Sequence, residues 1–409
     1  MTNVYDTLTQ RGYLKQCSHP EELRELLGRE KVAFYIGYDP TADSLHVGHY
    51  VQLMVMAHMQ RAGHRPIVLL GGGTTMIGDP SGKSDMRRMM TNDEIDSNAD
   101  IFKSQMSRLL DFEGENAALV VNNAQWLRSL NFLDFMREIG IHFSVNRMLT
   151  ADCYKQRMES GLTFFEMSYM LMQSYDFLVL NRRFGCVLEM GGDDQWSNIL
   201  SGADLIRRKE QKAAYALTNT LLTTSEGKKM GKTEKGALWL DENKTSVYDF
   251  YQYWRNVDDA DVRKCLCLLT FLPMQQIDEL CAEGGAALNE AKKLLALTLT
   301  AQVHGTQKAQ KAADAAAVLF GGGGNIENIP TLQLDAAAKA ESGLRIIDLL
   351  VMAKLCKSKS DARRMIESGA VFADDINVDD VSAVLDETRL AGGVVLRKGK
   401  KGFVRIIGA

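Results

Sequence analysis

Short runs of Val, Ile and Leu recur through the first half of the chain, and between them apolar residues return every three or four positions. The runs are KVAFYIGYD (31–39), RPIVLLGGG (65–73), AALVVNNAQW (117–126) and GCVLEMGGDD (185–194). One helical pattern opens near His46 and another runs through WSNILSGADLIRRK from Trp196. Apolar strands spaced by helices predict a parallel sheet covered on both faces, a Rossmann-like α/β domain over residues 1–220. From Thr245 to Phe320 the pattern is helical throughout, so 221–320 is expected to form a helical domain. GGGGNIENIPTLQL, from Gly321, has a linker's composition and sets a linker at 321–342. A compact α+β unit is expected over 343–409. In it LRIIDLLVMAKL and KSKSDARRMIESG read as helices, the second with Ser360 as N-cap and Gly369 as stop, and AVFADDINVDD and GGVVLRKGKKGFVRII read as short strands.

Composition narrows the partners. The chain is 45% hydrophobic and 24% charged over 409 residues, with a net charge of −4. No strong positive field covers the whole molecule, so contact with nucleic acid must use a local basic patch. The seven cysteines (17, 153, 186, 265, 267, 281, 356) are odd in number, with no C-x-x-C pair and no histidine at zinc spacing. That pattern predicts reduced thiols, a cytoplasmic setting and no protein-bound metal. MTNVYDTLTQRGYLKQCSHPEELRELL reads as amphipathic helix without the apolar run of a signal peptide, and no stretch reaches the roughly 18 apolar residues of a membrane span.

GGGTTMIGDPSGKS (71–84) imitates a phosphate loop, with Gly82, Lys83 and Ser84 in a P-loop's order. The P-loop needs four residues between its first glycine and the Gly-Lys pair, whereas Gly78 and Gly82 enclose three. One of the three is Asp79, whose carboxylate would repel a phosphate. GKKMGKT (227–233) is the same near miss, so a P-loop ATPase is rejected twice.

In the strand YIGYD, alternation puts Tyr35, Gly37 and Asp39 on one side, two polar groups flanking a glycine as a ligand floor. Pro40 ends the strand and a helix opens at Leu45 or His46. His46 and His49, three apart on its first turn, point the same way beside free backbone donors, where anionic phosphate belongs, and Gly48 lets a flat base approach. Two such histidines alone would also suit surface decoration or a metal pair. Downstream, Lys229 and Lys232 flank Gly231, and Thr233 adds a hydroxyl. Two ammonium groups on a glycine-containing loop can close over a triphosphate; alone, the stretch reads equally as a solvated basic turn.

HVGH at 46–49 and KMGKT at 229–233 together resemble the paired signatures of class I aminoacyl-tRNA synthetases, with Gly and Thr in the two serine positions of the second. YIGYDPTADSLHVGH, IGDPSGK, SYMLMQSYDF, GGDDQWSNI and the domain after Gly343 narrow the resemblance to the bacterial tyrosyl-tRNA synthetases over essentially the whole chain. Tryptophanyl-tRNA synthetases share the two signatures but would lack the Tyr35 and Asp176 pairing and the C-terminal domain. An RNA-binding protein without catalysis would not need both signatures intact.

The resemblance implies an ATP-dependent tyrosine–tRNA ligase with L-tyrosine, ATP and tRNA(Tyr) as substrates, Mg²⁺ arriving with ATP, and a homodimer with its interface near NFLDFMREIGIHFSVNRML. His46, His49, Lys229, Lys232 and Thr233 would act on the triphosphate, with Gly48 and Met230 beside the nucleotide. Asp79 would meet the substrate's ammonium with Tyr169 and Gln173, and Thr74 with the GGG run would let the amino acid approach the strand end. Tyr169, Gln173 and Asp176 also fall on one stripe of a helix, which could otherwise face solvent. Tyr35 and Asp176 would hydrogen-bond the phenol. Gly191 and Gly192 would admit the ribose, with Asp194 accepting from its hydroxyls and Gln195 near the amino acid; Asp193 reads as a helix cap. The helical domain would be the anticodon side. The last domain resembles an RNA-binding module shared with a ribosomal small-subunit protein, the S-four domain, carrying Lys354, Lys357, Lys359, Arg363 and Arg364 as its basic patch. Asp374-Asp375 stands where that family's hairpin often has Asn-Gly, which leaves the turn type open.

Overall fold

Six strands build the first sheet: β1 (Leu14–Cys17), β2 (Ala33–Tyr38), β3 (Arg65–Leu70), β4 (Leu119–Asn122), β5 (Cys186–Gly192) and β6 (Tyr215–Asn219). The computed structural model describes residues 3–81, 91–158, 161–233, 236–319, 331–374, 376–399 and 402–408. The strand order is β1-β6-β5-β2-β3-β4, parallel at every step except the antiparallel pairing of β1 with β6. From β2 the chain builds outward through β3 and β4, then returns to lay β5 and β6 on the other side. The sheet order therefore reverses between β2 and β5, and in such sheets the ligand crevice opens there, at the carboxyl ends of the strands. Four of the six strands are those the apolar runs predict. β1 and β6 escape the pattern: LKQC is half polar, and YALTN ends like a turn although Thr218 and Asn219 are completely buried.

The chain divides into two compact units, Met1–Ser246 with Val257–Val303, and Val247–Asn256 with His304–Ala409. The separate helical domain expected over 221–320 is thus not one body. The Asp259–Leu269 helix buries Val262, Leu266 and Leu269 in the first unit. Arg11 donates to the carbonyls of Cys267 (2.9 Å), Thr270 (2.8 Å) and Leu272 at the end of that helix, and the Tyr13 hydroxyl donates to Leu268 O at 2.7 Å. In the second unit the Val247–Arg255 helix presents Phe250 edge-on to His304 with ring centroids 5.0 Å apart. The alanine-rich stretch after Glu290 is two helices, Ala286–His304 and Thr306–Leu319, broken at Gly305, whose φ is +91°.

A hairpin of β7 (Lys232–Thr233) and β8 (Gly236–Ala237) belongs to the first unit. The second unit holds a five-stranded sheet of β9 (Thr331–Leu334), β10 (Val371–Ala373), β11 (Ile376–Asn377), β12 (Val394–Lys398) and β13 (Gly402–Gly408), in the order β11-β10-β12-β13-β9. The linker expected over 321–342 therefore stops short. Residues 321–330 lie outside the described residues, but β9 pairs in parallel with β13 and Ala336–Ser342 is helix. Leu334 is fully buried in that core, a gain of about 2 kcal/mol that composition alone does not register. Ser358, not Ser360, caps the Lys359–Glu367 helix, its hydroxyl accepting from Asp361 N at 3.2 Å; Gly369 follows at φ +68°, the expected stop. Asp374 opens the β10–β11 turn at φ +48°, the positive φ that an Asn-Gly turn would supply there, and its carboxylate accepts from Val395 N at 2.8 Å.

Candidate active site

The Val47–Arg61 helix begins with an imidazole in place of the usual short polar cap. His46 Nδ1 accepts from Gly48 N at 3.0 Å, and His49 Nδ1 accepts in turn from His46 N at 3.2 Å, a reciprocal capping box. The two rings stack, 3.9 Å between centroids and 17° between planes. Because each Nδ1 is an acceptor, the neutral rings carry their protons on Nε2, turning two donors away from the helix end. A Cβ at Gly48 would lie 2.8 Å from the His46 ring, so the glycine first of all makes room for the capping imidazole.

The second signature is pinned beside the first by main-chain bonds. Leu238 N donates to Gly231 O (2.7 Å), Val47 N to Leu238 O (3.0 Å) and Leu240 N to Leu45 O (2.9 Å), so the chain leaving β8 pairs with the start of the helix. Trp239 bridges to His46 and meets its ring edge-on at 5.9 Å. Gly231 has φ +78° and packs against Val47, a left-handed position that suits glycine. Lys229 is exposed and lines the cavity, and Met230 is buried with its N–H on Leu222 O at 2.9 Å. The backbones of Lys232 and Thr233 form β7; their side chains, like all of Gly82, Lys83 and Ser84, lie outside the described residues.

A cavity of about 700 Å³ opens at the switch point between β2 and β5. Tyr35, Gly37 and Asp39 line it from β2 and its end, and His46, Gly48 and His49 from the helix start. Thr74 and Asp79 come from the loop after β3, Tyr169 and Gln173 from the Tyr169–Phe184 helix, and Gly191, Gly192, Asp194 and Gln195 from the end of β5. Asp39 accepts from Thr74 Oγ1 (2.9 Å) and from the Tyr169 hydroxyl (3.1 Å). Asp79 accepts from Ser81 N (2.9 Å) and from Gln195 Nε2 (2.6 Å). Tyr169 and Gln173 line the same cavity as Asp79, Tyr169 bonding Asp39 and Gln173 bonding Glu189 at 2.9 Å. Partial desolvation raises the Asp194 carboxyl, while the Lys229 ammonium pulls the other way.

Asp176 sits behind the cavity wall, almost fully buried, with Oδ2 accepting from Asn123 Nδ2 (2.8 Å) and Oδ1 from Trp126 Nε1 (2.7 Å). Burial pushes its pKa well up, against the opposing pull of those two donors. Asn123 and Trp126 were not singled out in the sequence, although a polar pair at the carboxyl end of a strand is a recognisable signal. The same holds for Glu189, a lone acid inside the apolar run CVLEM. Trp239 gave no signal of its own.

Gly71, Gly191 and Gly192 line the cavity. Cβ atoms on the GGG run and on Gly191-Gly192 would strike the protein's own groups: Asp39 at Gly71 (2.0 Å), Asn122 at Gly72 (2.3 Å), Leu127 at Gly73 (2.9 Å), Ile199 at Gly191 (2.9 Å) and Asp194 at Gly192 (2.7 Å). One expectation is corrected: Asp193 does not cap the following helix; it accepts from Gln16 Nε2 (2.7 Å) and Thr218 Oγ1 (3.1 Å), tying β5 to β1 and β6.

In the second unit, Lys354, Lys357, Lys359, Arg363 and Arg364 are all exposed. Asp348 pairs with Lys359 at 2.6 Å and Asp361 with Arg364 at 2.9 Å.

Residues 28–321 match the family model described as tRNA synthetases class I (W and Y). The chain belongs to that family. Residues 324–406 of the synthetase match a second model, the tyrosine–tRNA ligase SYY-like C-terminal domain. The synthetase is 59% identical over 409 residues to the tyrosine–tRNA ligase of Clostridium botulinum and 58% identical over 408 residues to that of Clostridium kluyveri, each match covering 100% of both chains. Among solved structures it is similar to a C-terminally truncated mitochondrial tyrosyl-tRNA synthetase from Aspergillus nidulans, with a TM-score of 0.70 and 27% identity over 78% of this chain and 95% of that one. Among the described residues no group of three or more His, Cys, Asp and Glu side chains could hold a metal ion, and no helix is long and apolar enough to cross a membrane.

Proposed function

We infer that this synthetase activates L-tyrosine with ATP and transfers the tyrosyl group to the terminal ribose of tRNA(Tyr). One observation carries the substrate choice: the Tyr35 hydroxyl is buried without a hydrogen-bond partner at the end of a cavity backed by the Asp176 carboxyl. A phenol supplies the partner that the Tyr35 hydroxyl lacks and a further donor to the Asp176 carboxyl, whereas phenylalanine would leave the Tyr35 hydroxyl unpaired. Tyrosyl-tRNA synthetases are the standard example of such rejection, about 10⁵, a figure that belongs to the class and not to this chain.

The tyrosine carboxylate attacks the α-phosphorus of ATP, forming the mixed anhydride and expelling pyrophosphate. The ribose hydroxyl then attacks the carbonyl carbon and releases AMP. Substrate supplies both nucleophiles, so the protein's work is positioning and charge stabilisation. His46 and His49 present Nε2 donors to the phosphates, and Lys229, Lys232 and Thr233 follow the charge onto the leaving pyrophosphate. Asp79, Tyr169 and Gln173, with Asp39 behind Tyr169, receive the ammonium. Asp194 receives the ribose, with Gly48, Gly191, Gly192 and Met230 beside the nucleotide and Gln195 beside the amino acid. Mg²⁺ enters with ATP.

Lys354, Lys357, Lys359, Arg363 and Arg364 contact the RNA backbone, and the enzyme works in the cytoplasm. A homodimer is supported by apolar side chains exposed on and near 131–149: Phe132 (63%), Leu133 (74%), Ile141 (73%) and Val145 (54%). Light scattering that returned the mass of a single chain would refute that assembly. For the reaction, exchange of labelled pyrophosphate into ATP is expected with tyrosine and not with phenylalanine or tryptophan; exchange with tryptophan alone overturns the substrate assignment.

A further inference from the structure

Glu189 is an acid the reaction does not use, and it lies 1% exposed on β5 beside the phenol end of the cavity. Its Oε1 accepts from Gln173 Nε2 at 2.9 Å. Its Oε2 is buried with no hydrogen-bond partner, directed at the Trp196–Glu210 helix, where a Cβ on Gly202 would sit 2.9 Å from it. Tyr35 is the neighbour of Glu189 across the β2–β5 pairing and lines the same cavity, and the Tyr35 hydroxyl, like Gln173 Oε1, is buried without a partner; although no hydrogen bond of good geometry joins Tyr35 to Glu189, each perturbs the other's titration.

We propose that Glu189 is a positioning residue that sets the donor or acceptor polarity of the Tyr35 hydroxyl, so that selection of tyrosine over phenylalanine depends on whether Glu189 carries a proton. The inference rests on tyrosine being the substrate. A tyrosine hydroxyl has one proton to give. When Glu189 is ionised it can only accept, and it takes that proton; Tyr35 then offers the cavity a lone pair, and the substrate's phenol oxygen gains no donor. When Glu189 is protonated it donates to the Tyr35 oxygen and frees the Tyr35 proton for the phenol, whose own proton goes to Asp176. In that state phenylalanine strands a buried donor, so it is rejected most strongly.

Burial raises Glu189 to about 7, against the lowering effect of Tyr35 and Gln173, which puts the change inside the working range. The groups facing it are Tyr35 on β2, Asp176 and Gln173 on the Tyr169–Phe184 helix, and Cys186 on its own strand; the Trp196–Glu210 helix brings Gly202, which is uncharged. Asp176 is raised as well, so a control must separate the two acids.

The test is the ratio of kcat/KM for tyrosine to that for phenylalanine in pyrophosphate exchange by the full-length chain. It should fall about three- to tenfold as the pH rises from about 6 to about 8.5, the loss of one hydrogen bond to the substrate. In Glu189→Gln the amide oxygen can keep Gln173 and the amide N–H₂ donates permanently to Tyr35, so the ratio should stay at its acid-limb value throughout. Tyr35→Phe removes the group through which Glu189 acts and should also flatten the profile. A wild-type ratio that does not change with pH, or a slope that survives in Glu189→Gln or Tyr35→Phe, overturns the proposal and in the latter cases assigns the slope to Asp176. If no tyrosine-dependent exchange occurs at any pH, the substrate reading itself has failed and takes this inference with it.

Discussion

His46 occupies a helix N-cap, where Ser, Thr, Asp or Asn usually stands, and His49 returns the favour from the third helical position. The arrangement fixes both rings and directs both Nε2 atoms outward, so in each ring Nδ1 serves the cap and Nε2 is the donor proposed to meet the phosphates. Replacing His49 with alanine removes the acceptor for His46 N–H, at a cost of about 1 kcal/mol in stability, and deletes one donor. Adenylate formation should slow by about 10²- to 10³-fold while tyrosine affinity changes less than about threefold, measured by pre-steady-state fluorescence and equilibrium dialysis. Equal losses in both would contradict the division of labour. The histidine pair was legible in the sequence because helical spacing alone puts i and i+3 on one face. The reach of Gln173 to Glu189 and of Asn123 to Asp176 was not, because those partners come from different elements and only the fold sets their distance.

Between elements, what matters is that main-chain bonds through Leu238 connect the KMGKT loop to the histidine helix. Gly231 sits at the junction with φ +78°, and an added Cβ would stand 3.3 Å from Val47. Gly231→Ala should strain the junction by about 1 kcal/mol, raise KM for ATP and lower the rate of adenylate formation, yet leave tyrosine binding in place. A variant with unchanged ATP kinetics would show that the junction does not position the loop. Periodicity predicted β2, β3, β4 and β5 because their apolar runs are long enough to stand out. β6 was hidden because its buried Thr218 and Asn219 look like turn residues, and β1 because its short LKQC run is half polar. β9 was hidden in a glycine-rich stretch. Its membership in the C-terminal sheet comes from pairing with β13, a partner some seventy residues away that no local pattern can announce.

At the scale of the whole molecule the net charge of −4 sets a condition: attraction to an RNA polyanion has to come from a restricted surface. The exposed residues Lys354, Lys357, Lys359, Arg363 and Arg364 are the surface proposed for it, and Lys359 and Arg364 among them are held in ion pairs. Asp348 holds Lys359 and Asp361 holds Arg364, pairs that orient the cations while reducing the charge they offer. For a cation that meets a phosphate, removing it releases about one fewer counterion, so the slope of log K against log salt should become shallower by about 0.7 to 0.9 per contact. Lys354→Ala and Arg363→Ala are therefore expected to weaken tRNA(Tyr) binding with that loss of slope, measured by filter binding across a salt series. They should leave tyrosine-dependent pyrophosphate exchange unchanged, since that exchange involves no RNA. A variant that lost affinity at constant slope would show that its side chain meets no phosphate. A variant that lost exchange as well would show that its side chain does more than bind RNA.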